Sequence, residues 1–440
     1  MTLPSVCLEN VHLVPSARVA PIVGDVYIDN GVVASIDERK STSQPADVRI
    51  DCSSSVAIPG LFNLHVHCRP ERALSDGLPV PVWHQRVDLL SRHMTEQDAY
   101  VGGLIAYGEL LLSGVTSSMV MTRHFASAAD AAEALGVRSV VVPLAGDGGG
   151  VDRGDLDDLD SSLQLIRDRH ARSQGSRHEL WPGFDSPLTT SIDGMRNVAV
   201  TASQLGVGIH THMAETQYEV ESFRAKRGMS EPSALRDSGV LGEKTVLAHC
   251  NWLTDDDIDL MAETRTAVVH NPASNMRFSS GVCRVPELKE AGVRLALGTD
   301  GMLSGYQLNV FSAMRAAAML HRIWTSDSNV LTSADVFSMV TESAAGALGF
   351  EGGRIAVGAA ADIAVLDMTG IHLQPYRRDP LNDQDLLNLI VWCARPSDVQ
   401  HVLCDGELLV KDRSLQRVDE KEIRMRAVDA DIRLRPLITP

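Results

Sequence analysis

The 440 residues include 57 acidic and 40 basic side chains, a formal charge of −17, which opposes a polyanionic partner and argues against nucleic acid binding. No run approaches about 18 apolar residues, and Met1 to Cys7 shows no basic stretch leading into an apolar core, so neither a membrane span nor a secretory leader is expected. The seven cysteines are scattered without CxxC spacing, which fits reduced thiols and a cytoplasmic protein.

In chain order, residues 1 to about 57 read as short strands and turns, Gly24 to Ile36 being an example. The apolar run Ala57 to Leu64 then ends in His65-Val66-His67. Side chains at i and i+2 of a strand share a face, so both imidazoles can reach one metal ion. Ala99 to Leu112 has helical periodicity. The Gly- and Asp-rich stretch Gly146 to Asp158 lacks EF-hand spacing and a Walker lysine, and reads as a loop over a barrel mouth. A second helical segment, Met195 to Leu205, precedes the run Gly206 to His212, which is followed three residues later by Glu215. Thr245 to Ala248 ends in His249, and Val293 to Thr299 ends in Asp300. Strands and helices alternate, so a parallel sheet is expected. Metal-competent residues at the ends of successive strands converge only if that sheet closes into a (β/α)₈ barrel, a TIM barrel. Strand-like runs recur after about 353, at Ala361 to Asp367 and Val402 to Val410. The chain exceeds a bare barrel of roughly 250 residues, and the surplus lies at both ends.

The order HxH, HxxE, H and GTDG resembles the metal-dependent amidohydrolase superfamily. The segments Ala248-His249-Cys250 and Val269 to Arg277, with Ser280-Gly281-Val282, are similar to its triazine hydrolase and S-adenosylhomocysteine/methylthioadenosine deaminase branch. The likeness runs from Ile58 to Asp367. It implies a small discontinuous β-sandwich built from residues 1–57 and 353–440 beside a catalytic barrel of 58–352. It also implies metal ligands His65, His67, His212 and Asp300, with Glu215, His249 and Asp300 as catalytic groups. Binuclear relatives bridge two ions with a carboxylated lysine, yet no lysine stands between Lys40 and Lys226. One divalent ion is therefore expected, zinc first and Fe(II) second. Such an ion lowers the pKa of water to about 7. Asp300 then accepts a proton, His249 orients the nucleophile, and Glu215 protonates a substrate ring nitrogen, as a non-ligand Glu does in zinc nucleobase deaminases. The expected reaction is release of ammonia from an amidine-like carbon of an N-heterocycle.

The remaining histidines, among them His84, His124, His321 and His401, read as packed or surface residues. His210 is expected beneath His212, with His270 and Asn271 buttressing the site and Cys68 and Cys250 turned into the packing. Trp83, Arg153, Asp185, Met302 and Tyr306 are the candidate substrate contacts. Nucleoside-type relatives place a Glu where Val82 stands and a His near Asp185. Because a valine cannot accept hydrogen bonds from a diol, a sugar-free small-molecule substrate is expected. The alternatives are an adenosine-type nucleoside deaminase, a hydrolase expelling chloride, alkylamine or an imine nitrogen, and a non-catalytic scaffold. A homo-oligomer is expected.

Overall fold

The computed structural model describes residues 3–38, 44–72, 77–78, 80–148, 156–173, 175–378 and 383–438. Arg153, and with it most of the loop between Gly148 and Leu156, lies outside them.

Five strands precede the barrel: β1 (Val6–Leu13), β2 (Ile22–Asp29), β3 (Val32–Asp37), β4 (Val48–Asp51) and β5 (Ser55–Pro59). Strands β6 (Leu61–Val66), β7 (Val115–Thr122), β8 (Arg138–Pro143) and β11 (His178–Leu180) form one parallel set. Between β8 and β11 a two-residue pair, β9 (Ala145–Gly146) and β10 (Asp157–Asp158), brackets the loop. A second parallel set follows: β12 (Ile209–Met213), β13 (Thr245–His249), β14 (Ala267–His270) and β15 (Leu295–Leu297). The two sets join at both seams. A bridge pairs Gly183 with His210, and Asp300 N–H donates to the His65 carbonyl at 3.0 Å. The result is the expected (β/α)₈ barrel. Its strands are buried along nearly their whole length, as parallel strands covered by helices must be. Phe62, Leu64, Met119, Met121, Val140, Val142, Val246, Val269 and Ala296 fill its interior.

The outer helices start where the sequence offers side-chain caps. Thr95 with Asp98, Thr216 with Glu219, Thr254 with Asp257 and Thr332 with Asp335 each form a reciprocal capping box, which satisfies amide donors that have no partner within a helix.

Both ends of the chain share one nine-stranded sheet. It runs β19–β18–β17–β16–β5–β1–β2–β3, with β4 beside β1, where β16 is Ile363–Asp367, β17 Val399–Cys404, β18 Glu407–Lys411 and β19 Ser414–Leu415. The sheet curls over its own core of Val6, Leu8, Val26, Ile28, Ile363, Val365 and Leu403, and β3 meets Ala360 across the fold. The C-terminal segment also sends a helix, Glu420–Leu434, onto the barrel helix Glu96–Leu112. No helix among the described residues is long and apolar enough to cross a membrane.

Candidate active site

The barrel places the C-terminal ends of its strands around one cavity, whose lining includes His67, Asp185, His212, Glu215, His249 and Asp300. His65, His67 and Asp300 gather their ligand atoms within 4.8 Å of one another, and so do His65, His212 and His249. Several of these positions hold left-handed backbone: Ala214 (φ 48°), His249 (φ 73°) and Asp300 (φ 59°). Such conformations cost of order 1 kcal/mol or more outside glycine and gather where a side chain must be aimed.

The imidazoles are aimed by their inner nitrogens. His67 Nδ1–H donates to the Met121 carbonyl at 2.7 Å, and His212 Nδ1–H to the Asp185 carbonyl at 2.7 Å. His65 and His210 form a chain: His210 Nδ1–H donates to the Val246 carbonyl at 2.8 Å, so its Nε2 accepts from His65 Nδ1–H at 2.9 Å. His249 Nδ1–H donates to Asn275 Oδ1 at 2.8 Å. All four Nε2 atoms of His65, His67, His212 and His249 are thus left with lone pairs. Burial pushes the His65, His67 and His212 pKa values down, and His210 to about 3, so the rings are neutral near pH 7.

Those lone pairs face one another. His67 Nε2 and His212 Nε2 are 3.1 Å apart, and Asp300 Oδ1 lies 3.5 Å from His67 Nε2 and 3.8 Å from His65 Nε2. His65 Nε2 is buried with no hydrogen-bond partner among the described residues. Burial works to raise the Asp300 pKa, but the neighbouring His67 and His249, the Ser274 hydroxyl at 2.5 Å and the Gly301 N–H at 2.6 Å outweigh it and hold the carboxyl low. Converging acceptors with no proton to share repel each other unless a cation sits between them. The donor set of neutral imidazoles and a carboxylate, each steadied by a second hydrogen bond, fits a divalent metal ion.

Glu215 stands beside this cluster, its Oε2 3.8 Å from His249 Nε2 and its Oε1 3.4 Å from the Ser280 hydroxyl. Trp83 and Phe278 form an edge-to-face pair, ring centroids 4.9 Å apart, and both line the cavity with Met302. Asp185 lines it too, but its Oδ2 accepts from Thr189 and Ser186, while its backbone carbonyl orients His212. Tyr306 stands outside the lining: with φ 65° it turns its ring under the Arg277 guanidinium, 4.2 Å away, and its hydroxyl meets Arg277 Nη2 at 2.6 Å. Val82 is 40% exposed and also outside the lining.

Two expectations about supporting residues change. His210 lies beneath His65 instead of His212, because β12 stands across the barrel axis from β6 and its inward side chain reaches the opposite strand. The buttress after β14 is also displaced by a few residues. The ring nitrogens of His270 find no partner among the described residues, whereas Ser274 and Asn275, on the short helix Pro272–Phe278, hold Asp300 and His249. A proline-started polar helix just after a strand end was the available signal.

The profile of the Amidohydrolase family matches residues 56–409. This chain belongs to that family. It is accordingly a hydrolase of carbon–nitrogen bonds. It is 35% identical over 407 residues to the 5'-deoxyadenosine deaminase of Methanothermobacter thermautotrophicus, covering 91% of this chain and 92% of the relative. It is 34% identical over 403 residues to the 5-methylthioadenosine/S-adenosylhomocysteine deaminase of Haloarcula marismortui, covering 91% of each. The crystal structure of a zinc-bound adenosine deaminase from Xanthomonas campestris superposes with a TM-score of 0.89 over 98% of both chains, at 26% identity. An atrazine chlorohydrolase from Arthrobacter aurescens complexed with zinc shares the fold, with a TM-score of 0.88 at 20% identity over 97% of this chain and 99% of its own. The sugar-free substrate expected from Val82 and Asp185 is not favoured by the two archaeal relatives, whose names are those of nucleoside deaminases.

Proposed function

We propose that this amidohydrolase deaminates an adenosine-type nucleoside, releasing ammonia, with one divalent ion, zinc, held by His65, His67, His212 and Asp300. The observation that carries the reading is the set of outward lone pairs with every Nδ1–H already committed, next to a carboxylate, Glu215, held apart from the ligands. The relatives named for 5'-deoxyadenosine and methylthioadenosine support the substrate class. The ion, when bound, would act as a Lewis acid and bring the pKa of water toward 7.

The residues divide the remaining work. Asp300 takes the proton of the attacking water, and His249 Nε2 accepts a hydrogen bond that orients it. Glu215 donates a proton to a purine ring nitrogen, which makes the adjacent carbon electrophilic; after water adds, the proton held by Asp300 passes to the amino group, which leaves as ammonia while the hydroxyl proton returns to Glu215 and the ring nitrogen keeps its own. Trp83 and Phe278 offer an aromatic wall against which a flat base stacks. The nucleoside alternative raised by the sequence thus replaces the sugar-free one.

The test is ammonia release from 5'-deoxyadenosine, methylthioadenosine, S-adenosylhomocysteine and adenosine beside aminopurines, pterins, triazines and guanidines. At least one nucleoside is expected to be turned over with kcat/KM of about 10⁴ M⁻¹s⁻¹ or above. Glu215→Gln should keep the ion and lower kcat by roughly 10² or more. Efficient turnover of a sugar-free compound with none of the nucleosides would sink the reading.

A further inference from the structure

His249 is tied to Glu215 by a second route besides the open cavity. His249 Nδ1 meets Asn275 Oδ1 at 2.8 Å, Asn275 Nδ2 donates to Asn251 Oδ1 at 2.7 Å, and Asn251 Nδ2 donates to the Glu215 backbone carbonyl at 2.9 Å. His249, Asn275 and Asn251 are all buried. An amide has one acceptor end and one donor end, so the chain has a single consistent direction. The Glu215 carbonyl can only accept, which turns Nδ2 of Asn251 toward it and leaves Oδ1 for Asn275. That requires Asn275 to present Nδ2 there and its own Oδ1 to the imidazole. The imidazole nitrogen facing Oδ1 must then carry the proton.

We infer that Asn251 and Asn275 form a directional relay that fixes His249 as the Nδ1–H tautomer, keeping the Nε2 lone pair turned into the cavity. They are positioning residues, and the inference rests on the role given to His249 above. The anchor of the relay is a backbone carbonyl, which no change of protonation can reverse. Its weakest link is Asn251, which is not hydrogen-bonded to His249 and meets the cavity lining through the Glu215 backbone carbonyl, yet decides which way Asn275 points. Without Asn251 the Asn275 amide is free to turn over, offering Nδ2 to the ring. His249 then accepts at Nδ1 and carries its proton at Nε2, where a lone pair is needed.

The deciding experiment is a long-range ¹H–¹⁵N correlation on the zinc-loaded protein with ¹⁵N-labelled histidine, His249 being assigned by comparison with His249→Gln. The native protein should show His249 protonated at Nδ1. Asn251→Leu should move a measurable fraction of His249 to the Nε2–H form and lower kcat by about 10-fold or more, with KM changed by less than about 3-fold, since a wrong tautomer impairs chemistry more than binding. Asn251→Asp, which keeps an acceptor for Asn275, should retain the native tautomer and most of kcat. A native Nε2–H signal, or an unchanged tautomer in Asn251→Leu, overturns the relay. A merely structural Asn251 would lower thermal stability in both variants without moving the tautomer, which also overturns it. A tautomer change in Asn251→Leu with kcat intact supports the relay and instead overturns the role assigned to His249.

Discussion

The two ends of the barrel bury polar side chains in opposite ways. At the end facing the curled sheet, Arg138 lies between Asp362, 3.2 Å away, and Asp405. Arg177 reaches Asp405 at 3.0 Å and Glu407 at 2.8 Å, and Arg417 closes on Glu407 at 2.6 Å. Burial disfavours the Arg138 charge, yet Asp362 and Asp405 outweigh it and hold its pKa above the ordinary value. Each of these three guanidinium groups meets a carboxylate. At the opposite end four imidazoles and a carboxylate present lone pairs to one another. Charge that is matched holds two parts of a fold together, whereas acceptors that oppose acceptors describe a place for something positive. The same residue types serve both purposes, and only the pairing tells them apart.

This contrast can be broken at either end. The largest effect is expected from His65→Ala, which removes a central lone pair from both ligand clusters. Turnover should fall roughly 10⁴-fold and most of the bound ion should be lost, as read by elemental analysis alongside ammonia release. A fully loaded, active variant would mean that the facing lone pairs are not the metal centre. Arg138→Ala attacks the other end, stranding the buried Asp362 without its cation while Asp405 keeps Arg177. It should cost about 3–5 kcal/mol in denaturant unfolding, while turnover per folded molecule stays near that of the native protein. A loss of activity without loss of stability would show that the two ends are not separable. The smallest effect should come from His210→Phe, which leaves His65 Nδ1–H with no acceptor but touches no ligand atom of the ion. Chelator competition should show affinity weakened by 10- to 100-fold. An unchanged affinity would demote the His65–His210 pair to packing.

The barrel and the convergence of the six residues proposed for its site were legible because both depend on strand periodicity: His65 and His67 share a face, and His212, His249 and Asp300 fall where apolar runs stop. The supporting residues were not, since Asn251, Ser274 and Asn275 lie on turns and a short helix where no period says which way a polar side chain points. Tyr306 shows the same difficulty, its left-handed backbone sending the ring to Arg277. The substrate class read from Val82 differs from the one the relatives favour for another reason. Val82 shows that one position lacks an acceptor, but the groups that meet a ligand are assembled from many loops, so one missing acceptor does not define the whole cavity. His210 was expected under its neighbour on the same strand, and its true partner comes from the strand opposite, a relation invisible in one dimension.

The seam between β6 and β15 has a consequence for how the closed barrel persists. Lower down, the two strands do not pair with each other: Phe62 N–H bonds to the Val340 carbonyl and Leu297 N–H to the Met339 carbonyl, so a turn of chain is wedged between them. Only near the mouth do they meet directly, through Asp300 N–H to the His65 carbonyl and through Asn63 to Thr299 at 2.7 Å. His65 and Asp300, two of the proposed ligands, therefore stand on opposite sides of a join that has no continuous strand ladder. An ion gripping both would work as a clasp, and its binding free energy would be added to the closed form alone. Stripping the ion would then loosen the protein locally, and amide exchange would quicken along this join before the rest of the barrel registered the loss.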